Sequence, residues 1–92
     1  MKLINQENKI YCVLIVEDEA IIAMDLSSQL EGMGYQICAV ADNGEDAIKM
    51  AKHHHPDLIL MDVVIKGAID GIQTAEKIIK ELKIPIIYLT SF

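Results

Sequence analysis

Two rhythms of hydrophobic and polar positions alternate along this chain. Tyr11–Val16 is an unbroken apolar run that stops at Glu17-Asp18-Glu19, the profile of a strand covered on both faces. Ile22, Leu26, Leu30 and Met33 then recur at spacings of four, four and three. That is one stripe of a helix, ended by Gly32 and Gly34 on either side of Met33. Tyr35–Ala41 reads as a second strand, and Asp42-Asn43-Gly44 as a turn that offers an N-cap. Ala47, Ile48 and Ala51 mark a second helix, stopped near His53–Pro56. Leu58–Met61 is a third strand ending in Asp62, followed by a loop, Lys66–Gly71, with two glycines. Ile72, Ala75, Ile79 and Leu82, with Ile78 beside them, predict a third amphipathic helix. Ile84–Leu89 is a fourth strand, with Pro85 near its start where a missing N–H is tolerated.

The order β-α-β-α-β-α-β, with strands apolar on both faces, predicts a parallel sheet covered by helices. No internal repeat, low-complexity tract or linker divides the 92 residues, so residues 1–92 read as a single domain. A chain of this size buries roughly 60–65% of its unfolded surface, which permits a real but modest core. At 52% hydrophobic the chain is too apolar for a disordered acidic tail. No apolar run approaches the ~20 residues of a membrane span. Asn5, Gln6, Glu7 and Asn8 deny Met1–Asn8 the character of a secretory leader.

Charge narrows the field further. The 14 acids face eight bases, every one of them lysine, for a net charge of −6. A chain without arginine and with this acidic excess is a poor partner for nucleic acid, whose binding rests on phosphate neutralisation. Cys12 and Cys38 are too few for a disulfide framework and lie in apolar runs. They are expected as reduced, buried thiols of a cytoplasmic protein.

In a parallel α/β sheet, residues just past the strand ends collect along one edge, and ligands bind where strand order reverses. If the second and third strands flank the first, Glu17 and Asp18 meet Asp62 at that crevice. Three converging carboxylates repel one another, and a hard divalent cation relieves the repulsion; an all-oxygen site suits Mg²⁺. The plainer role for Asp18, capping the first helix, leaves Asp62 at an equivalent strand end unexplained. Thr90 follows the fourth strand on the same edge, where its hydroxyl can donate to an anion held over Asp62.

The run Val13-Leu14-Ile15-Val16-Glu17-Asp18-Glu19 resembles the opening of response-regulator receiver domains. Pro56-Asp57-Leu58-Ile59-Leu60-Met61-Asp62 resembles their phospho-acceptor strand, and Asp70-Gly71 the loop before their third helix. Ile84-Pro85-Ile86-Ile87-Tyr88-Leu89-Thr90-Ser91 is similar to their fourth strand with its switch hydroxyl. The resemblance covers residues 10–92 and implies a flavodoxin-like, doubly wound parallel sheet with strand order 2-1-3-4. It implies a two-component signalling module, regulatory and not an enzyme in its own right. Asp62 would take a phosphoryl group from a phosphohistidine on a sensor histidine kinase. Asp18, Asp62 and the backbone carbonyl of Val64 would hold Mg²⁺ directly, and Glu17 through water. Thr90 would bond a phosphoryl oxygen and convert modification into a surface change.

The chain departs from the family's pattern in three places. The loop Val63-Val64-Ile65-Lys66-Gly67 lacks a frequent proline, and it is one residue longer to Asp70 than the commonest form. A whole receiver also continues past its fourth strand with a helix, a strand and a last helix, so the chain reads as an incomplete receiver. That reading removes the fifth-strand lysine that would pair with the phosphoryl group, for which Lys66 is a weak substitute. It also raises an alternative: a receiver-derived fragment that associates with partners or with itself through an exposed fourth-strand edge. A Mg²⁺-dependent aspartyl phosphatase fits less well, because Val64 stands where a second acid is expected. His53-His54-His55 cannot converge on one ion along a helix, where successive side chains point about 100° apart.

Overall fold

The computed structural model describes residues 9–89; the leader reading of Met1–Asn8 and the switch role of Thr90 fall outside these residues. Four strands and three helices alternate as β1 (Cys12–Val16), α1 (Ala20–Gly32), β2 (Gln36–Ala41), α2 (Gly44–His54), β3 (Leu58–Asp62), α3 (Gly71–Leu82) and β4 (Ile86–Leu89). The strands form one parallel sheet in the order β2-β1-β3-β4. This is the flavodoxin-like order that the resemblance implied, and β1 and β3 flank the point where the chain reverses its direction across the sheet.

Burial on both faces explains the continuous apolar runs. Val13, Leu14, Ile15 and Val16 are all fully buried, and their alternation divides the core in two. Leu14 and Val16 join Ile59, Met61, Ala47, Ala51, Ala75 and Ile78 beneath α2 and α3. Val13, Ile15 and Leu60 form a smaller cluster on the other face, capped by Leu26 and Leu30 of α1.

The helix ends follow from their residues. Asn43 caps α2, its side-chain oxygen accepting the Asp46 N–H at 2.9 Å, and His55 closes that helix in the left-handed region. Asp70 and Gln73 form a reciprocal capping box at the start of α3. After α1 the chain turns at Gly34, whose φ of 98° suits glycine.

Several side chains lie elsewhere than the spacing predicts. On α3 the inward face is Gly71, Thr74, Ala75 and Ile78, while Ile72 and Ile79 are about half exposed. The start of the helix sets this phase. A Cβ on Gly71 would stand 2.0 Å from the Asp62 carbonyl oxygen, so α3 begins pressed against the backbone that ends β3. The buried Thr74 hydroxyl is satisfied by donating to the Asp70 carbonyl at 2.7 Å. On α1, Leu26 and Leu30 pack inward but Ile22 and Met33 stay over 40% exposed. A single helix lies on that face of the sheet among the described residues.

Cys12 and Cys38 are half-buried free thiols, not fully buried ones. They sit close enough to perturb each other; burial above all, and then Cys12, push the Cys38 thiol up to about 12. Cys38 occupies an irregularity in β2. Val13 pairs with Ile37 and Leu14 with Ala39, so Cys38 is passed over in the ladder. Among the described residues no helix is long and apolar enough to cross a membrane.

Candidate functional site

The carboxyl ends of β1 and β3 carry the chemistry. Val13–Val16 pair with Leu58–Met61, so the residues that follow in each strand emerge side by side. Glu17 is held in place by two backbone bonds. Its N–H donates to the Ala41 carbonyl at 2.9 Å, and its Oε2 accepts the Glu19 N–H at 3.0 Å. Asp62 ends β3, and its Oδ1 accepts the Val64 N–H at 3.1 Å. Asp18 completes the group. Each of Glu17, Asp18 and Asp62 offers an oxygen within 4.8 Å of the others, the one such group of metal-capable side chains among the described residues.

The local electrostatics are those of crowded acids. Glu17 is only 5% exposed. Burial pushes its carboxyl above the usual glutamate range, the Glu19 amide partly opposes this, and the neighbouring Asp62 and Asp18 raise it further. Asp18 is not a helix cap. Glu19 occupies that position, and its side chain makes no capping bond.

These carboxylates line an open cleft of about 540 Å³ together with Glu19, Val64 and an apolar wall of Ile22, Leu26 and Leu89. The half-exposed Ile22 thus borders the site. The donor set fits a hard divalent cation: three carboxylate oxygens in mutual reach, one carboxyl destabilised by its neighbours, and no soft ligand among them.

Other predicted contributors stand apart. Lys66 does not line the cleft; its backbone bridges to Asn43 at the start of α2. The rings of His53 and His54 meet edge to face at 4.8 Å, outside any group of three metal-capable side chains among the described residues. Sequence reasoning missed two neighbours of the site, Gly71 against the Asp62 carbonyl and Glu45 against the loop that follows Asp62. The glycine is visible in sequence only as a loop residue. Nothing in the sequence signals the contact of Glu45, which lies 23 positions from its partner.

A family profile described as "Response regulator receiver domain" matches residues 13–92. Among curated proteins, the transcriptional regulatory protein PdtaR of Mycobacterium tuberculosis is 45% identical over 80 residues, which are 87% of this chain and 38% of that protein. The phyllosphere-induced regulator PhyR of Methylorubrum extorquens is 35% identical over 81 residues, or 87% of this chain and 30% of PhyR. The match therefore spans only 38% and 30% of the length of these two relatives. Among solved structures, the signal receiver domain of a modulated diguanylate cyclase from Desulfovibrio desulfuricans superposes with a TM-score of 0.85 at 43% identity. That match covers 89% of this chain and 66% of the other.

Proposed function

The chain belongs to the response regulator receiver family, a family of regulatory modules, and from this premise we propose that it accepts a phosphoryl group on Asp62 in the presence of Mg²⁺. The observation that carries the proposal is the convergence of Glu17, Asp18 and Asp62, from two parallel strand ends, within 4.8 Å of one another. The donor we assign is the phosphohistidine of a sensor histidine kinase. A carboxylate oxygen of Asp62 attacks phosphorus as the phosphorus–nitrogen bond breaks. The products are an aspartyl phosphate and a histidine that takes up a proton.

Asp18, Asp62 and the Val64 carbonyl would hold Mg²⁺, with Glu17 acting through water; the ion supplies positive charge opposite the oxygens of the transferring group. The Val64 N–H on Oδ1 limits rotation of the Asp62 carboxylate, so the nucleophile is oriented before the donor arrives. Thr90, next in sequence after the cleft residue Leu89, is assigned the bond to a phosphoryl oxygen.

Incubation with a small-molecule phosphodonor and Mg²⁺ tests this reading. The chain should gain one acid-stable, base-labile phosphate, lost in Asp62→Ala and in the presence of a chelator. Absence of modification in the native chain, or its persistence in Asp62→Ala, refutes the assignment. A second reading, association through the β4 edge, draws support from Ile87 and Tyr88. These are 51% and 42% exposed on a strand paired on one side only among the described residues.

A further inference from the structure

The eight residues from Val63 to Asp70 link Asp62 to α3, and they are fastened along their length. Val64 N–H donates to the Asp62 carboxylate, Gly71 N–H donates to the Val63 carbonyl at 3.1 Å, and the Ile65 side chain is buried in the core. Beyond Ile65 the loop crosses to the start of α2. Lys66 bridges with Asn43 there, and the Ala68 N–H donates to Glu45 Oε1 at 3.2 Å. Between these two contacts lies Gly67, with φ at +114°, where an added Cβ would stand 3.0 Å from Glu45 Oε2. The corner is close-packed as well, since a Cβ on Gly44 would meet Ile69 Cγ1 at 2.7 Å and the Thr74 hydroxyl at 2.2 Å. Val64, held at its N–H by Asp62, has a side chain that stands 78% exposed at the cleft.

From this arrangement we infer that Glu45 is a positioning residue for the cation site: by holding Ala68 against the first turn of α2, it fixes the loop that presents Val64 beside Asp62. The inference rests on the Mg²⁺ reading above and adds to it a residue on a different helix that never touches the ion. Glu45 has a second effect, because a carboxylate in the first turn of α2 also favours that helix's dipole. The two effects separate by substitution. Glu45→Gln removes the charge but keeps a side-chain oxygen able to accept from Ala68. Glu45→Ala removes both.

Calorimetric titration of the chain with Mg²⁺ alone, paired with hydrogen exchange of the metal-free chain, tests the inference. Glu45→Ala should bind Mg²⁺ about two- to tenfold more weakly, the range expected for losing one hydrogen bond that orders the site. In the same variant, the amides of Val64 and Ala68 should exchange faster. Glu45→Gln should restore affinity and protection to near the native values. Native-like Mg²⁺ affinity in Glu45→Ala overturns the inference, as does a Glu45→Gln variant as weak as the alanine one; either result leaves the cation reading standing. A native chain that binds no Mg²⁺ is a different failure, since it removes the cation reading and the positioning role with it.

Discussion

Asp57, at the end of the sheet opposite the cleft, fastens Lys9 and the start of β1 to the body of the fold. Its Oδ2 accepts the Cys12 N–H at 2.8 Å, its Oδ1 accepts the Lys9 ammonium, and its own N–H donates to the Cys12 carbonyl at 2.8 Å. Burial pushes this carboxyl up, but the Cys12 amide and Lys9 together outweigh it and hold it below the usual aspartate range. A depressed folded value means that the stabilisation is present above the unfolded value of about 4 and is lost as pH falls through the folded one. Asp57→Ala should therefore cost about 1–3 kcal/mol at neutral pH. Urea unfolding of the two proteins should converge below the ordinary aspartate range, and a gap that persists unchanged in acid would contradict this account. At this scale the candidate site was largely legible. Glu17 and Asp62 each stop an apolar run of strand length, and parallel strands bring such ends together. Glu45 and Gly71 were not legible, because what each meets, the Ala68 N–H and the Asp62 carbonyl, is backbone that only the folded chain brings within reach.

At the scale of elements, the phase of α3 decides what each isoleucine contributes. Ile78 is 1% exposed and Ile79 is 48% exposed, although the two are adjacent in sequence. Ile78→Ala should destabilise the chain by about 2–5 kcal/mol through lost burial and the cavity left behind. Ile79→Ala should change stability by less than about 1 kcal/mol. Chemical denaturation of both variants distinguishes this phase from the one suggested by the apolar spacing, which would reverse the order. The reason for the misreading is physical. The inward positions of the first turns are Gly71 and Thr74, chosen for close approach to β3 and for a bond to the Asp70 carbonyl. Neither contributes to an apolar stripe. β1 and β3 carried no such ambiguity, since burial on both faces leaves their inner positions apolar and an acid marks where each run stops.

For the whole molecule, the distribution of apolar surface matters more than its amount. Ile21 and Met24 of α1 are 83% and 71% exposed, and Ile87 and Tyr88 lie on β4, at the end of the strand order. Among the described residues β4 is paired on one side only, and a strand edge left open beside an apolar flank is a template for pairing. Sedimentation over a range of concentrations should show this chain associating reversibly, and Ile87→Lys should shift the equilibrium towards monomer. A monomer at every concentration, or equal association in the variant, would remove the β4 edge as the contact. The alternation of elements was readable from the two rhythms, whereas the strand order 2-1-3-4 came from the family resemblance and not from the spacing. The uneven covering of the two sheet faces was not readable, because α1 carries enough apolar residues to suggest a deeply buried helix, yet only Ala23 is fully buried.

The passed-over Cys38 separates what the ladder of β2 requires from what the core requires. Without it, Ile37, Ala39, Val40 and Ala41 would alternate regularly between the two faces of the sheet and keep the partners they already have on β1. β2 thus holds one letter more than its pairing uses. The Cys38 side chain nonetheless packs with Ala39 against the larger core cluster, so removing that letter would leave the ladder's partners in place and thin the core on the α2 and α3 face.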